Sequence, residues 1–210
     1  MVKLKVCGMR DVANIQAVAE LRPDYMGFIF YKQSPRYVGD QFSIGDVNVR
    51  KVGVFVNENT EKILAQLKSI GSTTAQLHGD ENPVQCAELK GQGITVIKVF
   101  PVDDDFNFEK TKEYENVSDF FLFDTKGKLH GGNAKVFNWR KLQEYDQSVP
   151  FFLSGGLNAD NLKDIGVLKD MNLHALDLNS GVEDSPGLKN ISKISDLMKL
   201  IQYQIPNIQH

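Results

Sequence analysis

The chain has 210 residues, of which 24 are Lys or Arg and 27 are Asp or Glu, so its formal net charge is −3. Apolar residues make up 41% of the chain, which is ordinary for a globular protein with a core of its own. The acidic balance argues against a nucleic-acid partner, and no apolar run approaches the roughly 20 residues that a membrane span requires.

The first residues and the two cysteines indicate a cytoplasmic protein. Lys3 and Lys5 interrupt the apolar character of the N-terminal segment, so this segment does not resemble a secretory signal. Cys7 and Cys86 lie far apart and have no Cys or His neighbour at metal-ligand spacing. We therefore expect a reducing compartment and no structural metal.

Eight short apolar runs, rich in strand-forming residues, predict eight strands. Most are apolar at nearly every position, which is typical of parallel strands covered by helices. The runs are residues 4–7, 25–30, 51–56, 74–77, 94–100, 119–123, 150–153 and 174–178.

Segments with the helical spacing of apolar residues lie between these runs, most clearly at 12–21, 63–67 and 191–201. Asp11 is a suitable cap for the first helix, and Asn158 or Asp160 for the seventh. The second connection is the weakest, because residues 41–48 offer barely two helical turns.

Eight strands that alternate with helices predict an α/β protein with a closed (β/α)8 TIM barrel, formed as a single domain by residues 1–210. The alternative is an open doubly wound sheet. That architecture usually has fewer strands and a glycine-rich first turn, whereas the first turn here reads CGMR at residues 7–10. The pattern therefore favours the barrel.

In such a barrel the active site forms at the carboxyl ends of the strands. Glycine pairs follow the seventh and eighth strands, where backbone N–H groups commonly hold a phosphate. A helix beginning at residues 185–187 would also face this anion. Either turn alone is more often a plain tight connection, but the two together predict a phosphate site at Gly155, Gly156, Ser180 and Gly181.

Two side chains at strand ends are candidates for proton transfer. Cys7 is either a small buried apolar residue or, as a thiolate, a base or nucleophile. Lys5 lies two residues earlier on the same strand face and is expected to lower the pKa of the thiol. Asp124 follows an apolar run and is either a general acid or a cap for the turn at Thr125.

Four other residues allow both a functional and a structural interpretation. Arg36 either clamps a carboxylate or is a solvated loop residue. His78 either donates to a substrate or orients its loop, and Asp177 either contacts a sugar hydroxyl or supports neighbouring groups. Lys98 either forms a Schiff base or, as is more usual, belongs to a buried ion network. Cys86 is expected only to pack.

Seven stretches, taken in order, carry a family resemblance that extends from residue 5 to about residue 190. They read KVCGMR, GFIFYKQSPRYV, VGVFVNE, QLHGDE, FDTKGKLHGGNAKVFNW, LSGGLNADN and LDLNSGVEDSPGLKN. Together they resemble the phosphoribosylanthranilate isomerases, TIM-barrel enzymes of tryptophan biosynthesis. The resemblance implies that Cys7 is the general base, that Asp124 is the general acid, and that Arg36 holds the anthranilate carboxylate.

The reaction that the resemblance implies is the Amadori rearrangement of N-(5-phosphoribosyl)anthranilate to 1-(2-carboxyphenylamino)-1-deoxyribulose 5-phosphate, an aldose–ketose isomerisation. The substrate forms its own electron sink, an iminium, so one positioned acid and one base suffice and no cofactor is expected. The implied partner is this small phosphorylated substrate, and both a monomer and a homodimer fit a barrel of this size.

The chain departs from the family pattern in three places. Lys32 stands where a proline is usual, Asn138 where an aspartate is usual, and Asn133-Ala134 where Thr-Gly is usual. The loss of a glycine restricts the backbone of the sixth loop.

Three other functions stay open at this point. The related isomerase of the histidine pathway has an aspartate at the first strand, where this chain has Cys7. A catalytically silent phosphate-binding barrel would keep the glycine turns but could lose Cys7 or Asp124. An aldolase acting through Lys98 is the third possibility.

Overall fold

A computed structural model describes residues 2–45, 47–125 and 138–204. Eight parallel strands form its centre: β1 (Lys3–Val6), β2 (Tyr25–Ile29), β3 (Arg50–Phe55), β4 (Thr74–Leu77), β5 (Thr95–Val102), β6 (Phe120–Thr125), β7 (Phe151–Leu153) and β8 (Leu173–Leu178). Each pairs with the next, and β8 pairs with β1, so the barrel is closed. The predicted TIM barrel is confirmed, and the strand ends differ from the predicted ones by one or two residues at most.

The connections change character along the chain. The α-helices are α1 (Val12–Ala19), α2 (Thr60–Ser69), α3 (Pro83–Gly91) and α4 (Ile191–Gln204), whereas 3-10 helices occupy Phe108–Tyr114, Trp139–Glu144, Leu162–Leu168 and Ser180–Val182. Between β2 and β3, the described residues form no helix. No helix in the described ranges is long and apolar enough to cross a membrane.

Polar side chains accept backbone N–H groups at the start of the first connection and in the turn that begins the seventh. As predicted, Asp11 caps α1, where its Oδ1 accepts the N–H of Asn14 at 2.8 Å. Asn158 instead accepts two backbone N–H groups at 2.9 and 3.1 Å in the turn before Leu162–Leu168. Neither Asn158 nor Asp160 caps an α-helix there, because that connection is a 3-10 helix.

The core has an outer layer between the strands and the helices and an inner layer inside the barrel. The inner layer consists of Tyr25, Val52, Ile97, Val99, Leu122, Phe152 and Ala175. Val12, counted in the apolar stripe of the first helix, is 58% exposed and lies outside both layers. Side chains thus fill the middle of the barrel, and ligands have room only at its two ends.

The helix expected at residues 185–187 is not formed. Instead, β9 (Glu183–Ser185) and β10 (Leu188–Lys189) form an antiparallel hairpin. Gly187 lies in its turn with a φ of +85°, a conformation typical of the glycine in a Pro-Gly turn. The prediction was wrong because a Pro-Gly pair starts turns as well as helices, and α4 begins only at Ile191.

Candidate active site

The carboxyl ends of the strands surround one cavity, and five of the predicted site residues line it: Cys7, Arg36, His78, Asp124 and Asp177. Further polar lining comes from Ser34, Gln76, Ser154 and Asn179, and apolar lining from Ile29, Tyr31, Val54 and Val56. The barrel therefore brings together side chains that are distant in the sequence, including both candidates for proton transfer.

Cys7 borders this cavity from a buried position just after β1. Its N–H donates to the carbonyl oxygen of Leu178 at 2.8 Å, which fixes the backbone at the end of the strand. Gly27 on β2 leaves room for the sulfur, because a Cβ at that position would lie only 2.6 Å from Sγ. The side chain is 3% exposed, so the sulfur is shielded from bulk water.

Burial raises the pKa of the Cys7 thiol, against the expectation that Lys5 lowers it. Lys5 acts in the expected direction, but its fully buried ammonium forms a 2.7 Å ion pair with Asp177, whose negative charge opposes the thiolate. The expectation was incomplete because Asp177 is remote in sequence. Closure of the barrel places it beside Lys5 in the pairing of β1 with β8.

Asp177 offers an acceptor at the cavity wall. Burial raises the pKa of its carboxyl, although the Lys5 ammonium acts against this. Oδ2 accepts the Lys5 ammonium at 2.7 Å, whereas Oδ1 is buried without a hydrogen-bond partner in the described part of the chain. A buried acceptor without a donor is costly, so this oxygen is suited to a hydroxyl group of a ligand.

Asp124 and His78 face each other, with 3.4 Å between Oδ2 and Nε2. On its other side, His78 Nδ1 lies 3.1 Å from Gln76 Nε2, and Gln76 Oε1 accepts the Lys5 ammonium at 2.7 Å. A chain of polar contacts thus runs from Asp124 to the lysine beside Cys7. Asp124 and Thr125 both lie within β6, so the alternative turn at Thr125 is not formed.

Arg36 is held by a carboxylate that the sequence analysis missed. Its Nε and Nη2 donate to both oxygens of Glu183 at 2.6 to 3.1 Å, and Glu183 also accepts the Lys189 ammonium at 2.6 Å. Burial alone would raise the pKa of Glu183, but the donors of Arg36 and Lys189 hold it below its ordinary value. A guanidinium carries five N–H donors, so some remain for a ligand carboxylate.

The β9–β10 hairpin that carries Glu183 and Lys189 is tied to the first unit of the barrel. The Asn14 side chain of α1 exchanges two hydrogen bonds of 2.8 Å with the backbone of Lys189. Gly8, with a φ of +75°, admits Arg36, because a Cβ at Gly8 would lie 2.6 Å from Arg36 Cδ. One signal of this cluster was present in the sequence, namely a carboxylate two residues after the Ser180-Gly181 turn.

The two glycine turns predicted to bind phosphate lie against each other. Gly155 and Gly156 have φ angles of +103° and +70°, which side chains larger than glycine rarely adopt. Gly181, next to Ser180, packs so closely on Leu157 that a Cβ at Gly181 would collide with the Leu157 carbonyl oxygen. Gly156 and Gly181 are exposed, as a binding site for an anion at the rim of the barrel requires.

Lys98 and Cys86 lie outside the cavity lining. Lys98 forms a buried 2.9 Å ion pair with Glu81 and donates to the Gly79 carbonyl oxygen at 2.6 Å, as expected for an internal ion network. Cys86 is fully buried in α3, and burial raises its pKa to about 11. The departure at Asn133-Ala134 lies outside the described residues.

No group of three or more His, Cys, Asp or Glu side chains that could hold a metal ion occurs within residues 2–45, 47–125 and 138–204.

Comparison with protein families gives a match over residues 4–200 to the family described as N-(5'-phosphoribosyl)anthranilate (PRA) isomerase. A relative of that name from Phocaeicola vulgatus is 41% identical over 202 residues, covering 96% of this chain and 98% of the relative. A second, from Parabacteroides distasonis, is 40% identical over 204 residues, covering 94% of this chain and 92% of the relative.

Solved structures of the same name share the fold. The enzyme from Thermotoga maritima superimposes with a TM-score of 0.84 and 32% identity, covering 97% of this chain and 100% of that one. Another phosphoribosylanthranilate isomerase, in complex with reduced 1-(o-carboxyphenylamino)-1-deoxyribulose 5-phosphate, gives a TM-score of 0.80 at 30% identity with the same coverage. A third structure, with a TM-score of 0.79, 32% identity and the same coverage, contains monomers generated from the dimeric Thermotoga maritima isomerase.

Proposed function

The chain belongs to the N-(5'-phosphoribosyl)anthranilate isomerase family, and we propose that Cys7 and Asp124 are the base and the acid of its reaction. The reaction is the Amadori rearrangement of N-(5-phosphoribosyl)anthranilate to 1-(2-carboxyphenylamino)-1-deoxyribulose 5-phosphate in tryptophan biosynthesis. The observation that carries the residue assignment is that Cys7, Asp124 and Arg36 line the same cavity.

The first step opens the sugar ring. Asp124 donates a proton to the furanose ring oxygen while the bond between C1′ and that oxygen breaks, and the nitrogen lone pair forms a C=N bond. This leaves a cationic iminium beside C2′. His78, 3.4 Å from the Asp124 carboxylate, orients the acid towards the substrate.

The second step removes the proton from C2′. The Cys7 thiolate accepts this proton, and the electrons of the C–H bond flow into the iminium to give an enolamine, which tautomerises to the ketone. Because burial raises the pKa of the Cys7 thiol, the thiolate is the minor form before ring opening. The positive charge of the iminium favours the thiolate, so the acid step prepares the base step.

Three groups of contacts hold the substrate in this scheme: one at its anthranilate carboxylate, one at its ribose and one at its phosphate. Arg36, fixed by Glu183, binds the anthranilate carboxylate with its remaining donors. The free Oδ1 of Asp177 accepts a hydrogen bond from a ribose hydroxyl, and His78 adds a polar contact at the same wall.

The phosphate binds at the paired turns formed by Gly155, Gly156, Ser180 and Gly181. Exposed backbone N–H groups in such turns bind anions without any charged side chain. The close packing of Gly181 on Leu157 supports this assignment, because it holds the two turns together at the rim.

Several finer features belong to the same proposal. The enzyme is an intramolecular oxidoreductase of the aldose–ketose type, since C2′ is oxidised while C1′ is reduced within one molecule. Residues 1–210 act as one domain in the cytoplasm, as a monomer or a homodimer. The phosphorylated substrate is its small-molecule partner, with no nucleic-acid partner and no cofactor.

Consumption of the fluorescent substrate by the purified protein tests this function directly. Cys7→Ser and Asp124→Asn should each lower kcat by about 10²–10⁴-fold while circular dichroism shows a folded barrel. Cys86→Ala removes the other thiol, which lies outside the cavity, and should retain wild-type turnover. Near-wild-type turnover in the Cys7 or Asp124 variant would rule out the role of that residue.

A further inference from the structure

The amino ends of the strands surround a second cleft, at the end of the barrel opposite to Cys7 and Asp124. Its volume is about 430 Å³, within the range of roughly 300–1,000 Å³ that is usual for small-molecule sites. Each of the eight strands contributes at least one lining residue. We refer to it as the amino-end cleft; none of its residues takes part in the proposed isomerisation.

Positive charge collects in the amino-end cleft. Lys3, Arg50 and Lys51 line it together with His174, whereas its described lining contains no Asp or Glu. This is a local excess, because the whole chain has a net charge of −3. A cleft lined by charge of one sign concentrates ions of the opposite sign.

Two acidic residues near this end are engaged with other partners. Asp24 accepts the N–H of Leu4 at 2.9 Å. Asp119 accepts the N–H of Val96 at 2.8 Å and pairs with the Lys90 ammonium at 3.1 Å. These carboxylates therefore serve backbone and surface contacts and do not line the cleft.

The floor of the cleft is aromatic and held in place by hydrogen bonds. The Tyr25 hydroxyl lies 2.9 Å from His174 Nε2 and accepts Arg50 Nη1 at 3.2 Å, and Tyr25 is only 5% exposed. The guanidinium carbon of Arg50 lies 5.5 Å from the centre of the Tyr25 ring, and the Phe120 ring packs 4.2 Å from that of His174. Cations are thus placed beside a fixed set of rings.

We propose that the amino-end cleft is a binding site for a small aromatic carboxylate. The ring of the ligand packs on the aromatic floor, since aromatic faces and edges attract each other at such distances. The carboxylate meets Arg50 and Lys51 at the rim, where charge-assisted hydrogen bonds to a guanidinium are strong and directional. Thr74 and Thr95 also line the cleft.

4-Iodobenzoate is the probe for this site, because the iodine atom locates it by anomalous scattering. Crystals soaked with the probe should show iodine in the amino-end cleft. Calorimetric titration at low ionic strength should give saturable binding, which Arg50→Gln combined with Lys51→Gln weakens by at least about tenfold. If that variant is poorly folded, Thr95→Glu, which adds a carboxylate to the wall, provides the same test.

Two control variants separate this site from other sources of binding. Lys68→Gln combined with Lys163→Gln removes two exposed cations elsewhere and should leave the affinity unchanged. Arg36→Met should abolish any second binding event at the opposite cavity and should retain the iodine in the cleft.

Four outcomes would overturn the proposal. The first is iodine found only beside Arg36, and the second is equal affinity in the Arg50 and Lys51 variant. The third is binding at crystal concentration only, without a measurable titration. The fourth is a concentration-dependent dimer, detected by ultracentrifugation, in which a second copy of the chain occupies the cleft and prevents the probe from binding.

Discussion

At the carboxyl end of the barrel, the cations that line or border the cavity are matched by carboxylates: Lys5 by Asp177, and both Arg36 and Lys189 by Glu183. At the amino end, Lys3 and its neighbours line a cleft that has no acidic lining residue. Burial explains the difference. The matched charges are almost fully removed from water and need partners, whereas the unmatched ones stay partly solvated. The two ends should therefore respond differently to the same kind of substitution.

Removing one lysine from each end should separate them most clearly. Lys5→Met leaves the buried Asp177 carboxylate without its counter-ion and should lower the free energy of unfolding by about 3–5 kcal/mol. Lys3→Met, at the partly exposed amino end, should cost less than about 1 kcal/mol. Urea denaturation measures both. Adding Asp177→Asn should restore much of the stability lost in Lys5→Met, and equal losses in the two single variants would break the comparison.

The second prediction concerns the acidity of Cys7. Because burial raises the pKa of this thiol, it is protonated at neutral pH, and its thiolate fraction grows as the pH rises. In a Cys86→Ala background, the rate of alkylation by iodoacetamide should rise about tenfold per pH unit from about pH 7 to about pH 9. Mass spectrometry follows the modification. A rate that is already constant below pH 8 would mean that Lys5 outweighs burial.

The third prediction sharpens the role of the carboxyl-end cluster. Glu183→Gln removes the charge that fixes Arg36 and should raise KM by about tenfold, with a much smaller effect on kcat, because the proposed role of Arg36 is to bind substrate and not to transfer a proton. Asp184→Asn removes the neighbouring carboxylate, which is exposed, and is the matched control. Steady-state kinetics would contradict the role if kcat fell and KM stayed constant.

The smallest expected effect lies at the amino end. Tyr25→Phe removes the hydroxyl that lies between His174 and Arg50 but keeps the ring in the core. It should lower the free energy of unfolding by about 1 kcal/mol, the usual contribution of one hydrogen bond. Thermal and urea denaturation measure this loss. A loss as large as that of Lys5→Met would show that the amino end is as tightly coupled as the opposite end.

Sequence patterns predicted the barrel and much of the candidate site because both depend on local signals. Nearly continuous apolar runs marked the strands, and polar residues directly after them marked the cavity, including Cys7 and Asp124. Active sites of such barrels form at the carboxyl ends of the strands, so residues that are distant in the sequence could be assigned to one site without knowing the distances between them.

The parts that escaped prediction depend on contacts between distant segments. The pairing of Lys5 with Asp177 requires the register between the first and last strands, and this pairing changes the expected acidity of Cys7. Glu183 lies on a hairpin whose Pro-Gly pair looked equally like a helix start. Local residue preferences do not choose between such alternatives, since packing against Arg36 and α1 stabilises the hairpin.

The hairpin of β9 and β10 has a consequence for partly synthesised chains. A polypeptide that ends at residue 182 already contains the proposed base, the proposed acid and both glycine turns, but it lacks Glu183 and Lys189. Arg36 then lacks the carboxylate that accepts its guanidinium donors, and Asn14 loses its partner on the hairpin. In the proposed scheme, the contacts that orient Arg36 therefore form only after residues 183–189 have been synthesised, later than the proposed base and acid.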